Sequence, residues 1–322
     1  MTDERYLWFA PHAGLWPSFR MEHRLAQALV RSGRPVVMVH CLGVLSSYCP
    51  VMSADRRTVD SPQRDKERTC VDCRHATAIA NERALYPTLV LDDFVDDAIR
   101  QRAATIAVEA TPENWQDVEW DGIPIGRYAG YLTLLHHKVP EVTATPEAWR
   151  EYQSDLRNAL HVAMAMPAIL DRTQPTHAVV YNPLYPTNRM FALLAERVGA
   201  QLVGLHSGSF IPARTETVGI YPHVSASQTL VHSAALARSM TIPATPGEVA
   251  AVGRHLADLT AGNDPWVYST GARREPPATL RARLGLRPES PVVVALLSSP
   301  DEPRATTLVD AEFHDSADRG DD

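Results

Sequence analysis

The order of apolar and polar residues predicts alternating strands and helices from the first residues of the chain. Residues 7–10 and 35–40 are short apolar runs that predict buried strands. Between them, apolar residues recur at helical spacing, with Ser18 as the predicted N-cap and Gly33 as the stop. A strand–helix–strand unit of this kind packs as a right-handed parallel crossover.

A second unit of the same kind lies between residues 145 and 206. It consists of a long helix, a strand, a shorter helix and a further strand, at 145–170, 177–181, 188–198 and 201–206. A weaker strand at 88–91 and a helix at 92–108 lie before it. Two crossover units predict an α/β fold with a doubly wound parallel sheet, the Rossmann-like class.

The spacing of Pro and Gly predicts the domain organisation. We expect one domain over residues 1–270, with a cysteine-rich insert at 41–75 and helices continuing at 225–240 and 247–259. A linker and the start of an incomplete second domain, including an apolar strand at 291–297, are predicted over 271–309. The polar, acidic tail at 310–322 is expected to be disordered.

Charge and composition narrow the function classes. The chain is 45% hydrophobic and 21% charged, with a formal net charge of -7 and no Lys/Arg-rich block, so we expect no nucleic-acid partner. Two acidic residues precede a short first apolar run, which is unlike a secretory signal. No apolar segment approaches the length of a membrane span, so the predicted location is the cytoplasm.

All four cysteines lie in the predicted insert, at Cys41, Cys49, Cys70 and Cys73. In a reducing compartment, a Cys-x-x-Cys pair with two further thiols favours a metal site over disulfides. Structural zinc is the first hypothesis, because four thiolates complete a tetrahedral shell. An iron–sulfur cluster on the same ligands is the alternative, His75 is a candidate substitute ligand, and four unligated thiols remain open.

The loop after the first strand contains candidate catalytic and binding residues. In a doubly wound fold, ligands bind beyond the carboxyl ends of the strands, where His12 and Gly14 lie. His12 is the candidate general base, because the ordinary imidazole pKa suits neutral pH, and the alternative is a surface-loop histidine. Arg20, in the following helix, is a candidate substrate contact. No Gly-x-Gly-x-x-Gly pattern accompanies the loop, so a tight dinucleotide site is not indicated.

Two later strands also end in polar residues. These candidate substrate contacts are Asn182, Tyr185, Asn188, Arg189, His206 and Ser207. For the first four the alternative is helix capping, and for the last two it is an ordinary turn. Gly-x-Ser-x-Gly is absent, which disfavours serine hydrolase chemistry.

Three passages carry a resemblance to a known family. They are the Ala-Pro-His-Ala-Gly loop with the following helix, the cysteine insert, and the stretch from Asp171 through Asn188-Arg189 to His206. Together they resemble the N-terminal half of GT-B glycosyltransferases, in particular the bacterial capsular polysaccharide biosynthesis group. The segment 284–302 resembles the start of the second domain of those enzymes.

The resemblance implies a glycosyltransferase. It implies a nucleotide-sugar co-substrate, a sugar acceptor deprotonated by His12, and a protein partner that supplies the missing donor domain. The alternatives are a non-catalytic binding or assembly module of a polysaccharide or specialised-metabolite pathway, or an iron–sulfur protein.

Overall fold

A computed structural model describes residues 4–207, 218–221, 240–260, 276–291 and 301–309. Nearly all of the predicted helix at 225–240 and of the predicted strand at 291–297 lies outside these ranges. The tail at 310–322 lies wholly outside them. The predicted domain boundary near residue 271 therefore stays a prediction.

Six strands form one sheet. They are β1 Tyr6–Phe9, β2 Val36–His40, β3 Thr88–Val90, β4 His177–Tyr181, β5 Gln201–Ser207 and β6 Val218–Tyr221. Their order is β3-β2-β1-β4-β5-β6, and all neighbours are parallel except β5 and β6, which pair antiparallel at one edge. The predicted Rossmann-like α/β fold is confirmed.

The described residues form several helices, and some of them cover the two faces of the sheet. They are α1 Trp16–Arg31, α2 Pro50–Ala54, α3 Gln63–Asn81, α4 Asp97–Glu109, α5 Ile125–His137, α6 Pro146–Thr173, α7 Pro186–Arg197, α8 Pro246–Thr260, α9 Pro277–Arg283 and α10 Asp301–Val309. Side chains alternate across a strand, so Leu7 and Phe9 of β1 pack in the core with α4 to α7 and α10. Trp8 points to the other face and packs in the core with α1.

Two helix starts differ from the prediction. Ser18 lies inside α1 and is buried, because the helix already begins at Trp16 with Leu15 as N-cap. The predicted helix at 92–108 is a short 3₁₀ turn, Leu91–Phe94, followed by α4. Asp96 causes the break, since its carboxylate accepts a hydrogen bond from the Ile99 backbone N–H at 2.8 Å and caps α4.

The C-terminal helix α10 packs against α5. Lys138 contacts the fully buried Asp301 at 3.1 Å, and Arg304 contacts Glu141 at 2.7 Å. Within the described ranges, no helix is both long and apolar enough to cross a membrane.

Candidate functional site

The strand order places a topological switch point between β1 and β4. From β1 the chain passes to α1 on one face of the sheet, and from β4 it passes to α7 on the other face. The loops 10–15 and 182–185 therefore diverge at the carboxyl edge, which is where Rossmann-like folds bind their ligands. We call the space between these two loops the switch-point crevice.

His12 is a polar residue of the first loop, and its ring lies near the second loop. Its ring meets the ring of Tyr185 edge-on, with centroids 6.4 Å apart. Its Nε2 is buried and has no hydrogen-bond partner among the described residues. Burial lowers the pKa of His12 to about 4, so the imidazole is neutral at physiological pH.

Gly14 allows the first loop to lie against the cysteine insert. A Cβ at this position would lie 2.5 Å from Val51 Cγ1 and 3.2 Å from Cys73 Sγ. The Gly14 backbone N–H donates a hydrogen bond to Cys73 Sγ at 3.2 Å. This contact fixes the loop two residues after His12.

The second loop is held by hydrogen bonds of its own amides. Asn182 adopts a left-handed conformation with φ +45°, and its Oδ1 accepts a hydrogen bond from the Leu184 N–H at 3.2 Å. Asn188 Nδ2 donates to the Tyr181 carbonyl at 2.5 Å. These two side chains shape the turn that places Tyr185 opposite His12.

The other predicted contacts are dispersed. Arg189 donates to the Val309 carbonyl and lies 5.0 Å over the ring of Tyr128, among the helices. Arg20 is exposed on α1, and His206 stacks on Tyr181. Ser207 ends β5, where it pairs with β6. The structure thus brings His12 and Tyr185 together, and the ligand roles of the remaining residues stay predictions.

The four cysteines and His12 line one cavity of about 20 Å³, room for about one water molecule. Burial raises the pKa of Cys41 to about 12 and raises the pKa of the other three thiols, which favours the protonated form. In the described part of the chain, no group of three or more His, Cys, Asp or Glu residues is arranged to hold a metal ion. The zinc prediction and its iron–sulfur alternative are therefore wrong.

Glu22 and His40 are buried polar residues that the sequence analysis missed. Glu22 accepts a hydrogen bond from Trp8 Nε1 at 3.0 Å, and burial raises the pKa of this carboxyl to about 8. His40 is 1% exposed, and its Nδ1 lies 3.2 Å from the Ala10 carbonyl below the first loop. A signal existed for Glu22, because Phe19, Glu22 and Ala26 share one buried face of α1.

Comparison with known proteins found solved structures that are similar to more than half of this chain. No family model and no curated protein matches it. AlbC, a cyclodipeptide synthase from Streptomyces noursei, is 15% identical over 59% of this chain and 88% of its own, with a TM-score of 0.33. A cyclo(L-leucyl-L-phenylalanyl) synthase is 15% identical over 58% of this chain and 81% of its own, with a TM-score of 0.35.

The prediction of a GT-B glycosyltransferase is wrong, since these neighbours are cyclodipeptide synthases. The predicted nucleotide-sugar co-substrate is wrong for the same reason. The predicted sugar acceptor and the predicted partner with a donor domain have no support. The alternative of a polysaccharide or specialised-metabolite module is likewise unsupported. The three passages that resemble GT-B enzymes do not identify that family, because a strand, a glycine loop and a helix are present in any Rossmann-like crossover. Gly33, for example, ends α1 with φ +83° whatever the activity.

Proposed function

We propose that this chain binds a nucleoside, or another hydroxyl-bearing molecule of similar size, at the switch-point crevice, with one ligand hydroxyl or amide entering the small cavity that His12 lines. The observation that carries the proposal is the buried, unpartnered Nε2 of His12. A buried polar atom without a partner costs about 1–3 kcal/mol, so the ligand-free protein is less stable than it would be with an apolar ring there. A ligand hydroxyl or amide removes this penalty on binding.

The charge of the crevice favours an uncharged ligand group. Loops 10–15 and 182–185 contain no Lys or Arg, and the lowered pKa of His12 keeps its ring neutral. A neutral imidazole offers one acceptor nitrogen and one N–H donor, a pair suited to hydroxyls and to base edges. The edge of the Tyr185 ring adds an apolar contact beside them.

Replacing His12 tests this role. We expect His12→Phe to stabilise the ligand-free protein by about 1 kcal/mol, because the unsatisfied nitrogen is removed. The same change should weaken binding of the preferred nucleoside about tenfold, through loss of one hydrogen bond. Thermal melting gives the first quantity, and titration calorimetry with adenosine, guanosine, cytidine and uridine gives the second.

The control is His75→Phe, because His75 is exposed on α3. It should leave nucleoside binding unchanged. Because His12 is neutral above a pKa of about 4, affinity should also be constant between pH 5 and pH 8. No binding of any nucleoside, or equal affinities of the His12→Phe and wild-type proteins, would reject the proposal.

A further inference from the structure

A second cavity lies among three helices on the face of the sheet that α4 to α7 cover. Its volume is about 330 Å³, within the range of small-molecule sites. Each helix contributes residues spaced three, four or seven apart, so each presents one face to the cavity. These are Gln63 and Lys66 of α3, Ala104, Ala107 and Val108 of α4, and Arg150, Gln153, Ser154 and Arg157 of α6.

The cavity wall is cationic. Three of its lining side chains are basic, and no lining residue is acidic. Arg150 is neutralised by Asp60, which accepts two hydrogen bonds from its guanidinium. Lys66 donates to the Val59 carbonyl at 3.1 Å, and no carboxylate of the described residues lies within ion-pair distance of it. Two positive charges therefore remain for a ligand.

Arg157 is the principal candidate for an anion contact in this cavity. It is half-buried, and the described residues provide it with no carboxylate and no hydrogen bond. Partial burial lowers the pKa of Arg157, and an anion on its guanidinium would offset this effect. Burial, and then the positive charges of Arg157 and Arg100, lower the pKa of His161 to about 4. The charge of Arg157 therefore affects a neighbouring side chain.

The opposite wall is apolar. Val108 is 76% exposed at the rim, next to Ala104 and Ala107 on the same face of α4. An exposed apolar surface facing two free cations is suited to a ligand with an apolar body and an anionic group. The planar donors of Arg157 match phosphate oxygens, while Lys66 supplies a point charge.

We propose that this cavity is a binding site for a small organic phosphate, with the phosphate group on Arg157 and Lys66 and the organic part on α4. The site is independent of the switch-point crevice and of the function proposed for it. Gln63, Gln153 and Ser154 add hydrogen-bonding groups to the lining.

Phenyl phosphate is the probe, since it joins a phosphate to an apolar ring and lacks the ribose of a nucleoside. By titration calorimetry, we expect it to bind at least tenfold more tightly than phenol or inorganic phosphate. Arg157→Gln should weaken this binding at least tenfold, and Arg157→Lys should retain part of it. Neither change should lower the thermal stability of the ligand-free protein.

The matched control is Arg102→Gln, which removes one exposed charge from α4 outside the cavity lining. It should leave the affinity for phenyl phosphate unchanged. Equal affinities for phenyl phosphate and phenol, or equal losses from the Arg157→Gln and Arg102→Gln changes, would overturn the proposal. Nucleoside binding should be the same in Arg157→Gln and wild-type protein, which separates this test from that of the crevice.

Discussion

Gly126→Ala should destabilise the protein by about 3 kcal/mol, because α5 has no room for a methyl group there. A Cβ at residue 126 would overlap the backbone carbonyl oxygen of Trp115 and lie 2.9 Å from Val118 Cβ. The Gly126 N–H also donates to the Val118 carbonyl at 2.9 Å. Since the main obstacle is backbone, α5 itself must move. Urea unfolding monitored by circular dichroism measures the loss.

A displacement of α5 would also affect the hydrophobic core, because Trp115 is part of it. Its carbonyl accepts a hydrogen bond from the Tyr152 hydroxyl at 3.0 Å, and the two rings pack edge-on. Gly253→Ala is the matched control, because its Cβ would meet nothing within 4 Å in α8. Alanine there should leave stability unchanged or raise it slightly, by helix propensity. If both variants unfold at the same urea concentration as the wild type, the result would contradict the close contact between Gly126 and the Trp115 backbone.

Glu22→Gln should change how stability depends on pH. Folding raises the pKa of Glu22 from 4.5 to about 8, because burial penalises the carboxylate. The folded state then binds its proton more tightly than the unfolded state. This contribution is fully present below pH 4.5, declines as the pH rises, and is lost above about pH 8.

Glutamine does not titrate, so the variant lacks this decline. The free energy of unfolding of the variant minus that of the wild type should rise by on the order of 4 kcal/mol between pH 4.5 and pH 8. The amide carbonyl that replaces the carboxylate can still accept the Trp8 hydrogen bond, so the fold is retained. Denaturant titrations at four pH values give the difference. A difference that is constant with pH would show that Glu22 is ionised in the folded protein.

The sequence predicted most of the sheet because its strands are short apolar runs. Strand β4 has the predicted bounds, β1 begins and ends one residue before its predicted bounds, and β2 begins one residue later than predicted. Helix α6 was predicted from apolar spacing, and Thr145 caps it by accepting the Ala148 N–H at 3.1 Å. Local pattern decides such elements.

Helix α5 was not predicted because its glycines resemble turn residues. In the structure, Gly126 and Gly130 permit close packing against Trp115, a contact between residues that local pattern does not connect. The cysteine spacing also led to a wrong prediction, because the spacing alone does not show in which secondary structure the thiols lie. Cys70 and Cys73 suggest a metal-binding turn, yet both lie inside α3, where the thiols are partly buried.

The position of His12 can be compared with the structure, while its role stays a prediction. His12 was selected because it follows the first strand of a doubly wound sheet, and the structure places it opposite Tyr185. The lowered pKa and the missing partner depend on tertiary enclosure, so the sequence did not indicate them. The cavity between α3, α4 and α6, for which we propose a phosphate ligand, was not predicted because it forms where faces of three separate helices meet.

The most direct test of the crevice is the ¹⁵N resonance of His12 in protein labelled at histidine. Without ligand, the ring should remain neutral from pH 5 to pH 8, and the preferred nucleoside should shift the Nε2 signal of His12 but not that of His75. A His12 ring that titrates near pH 6.5, or a signal that none of the four nucleosides shifts, would contradict the account.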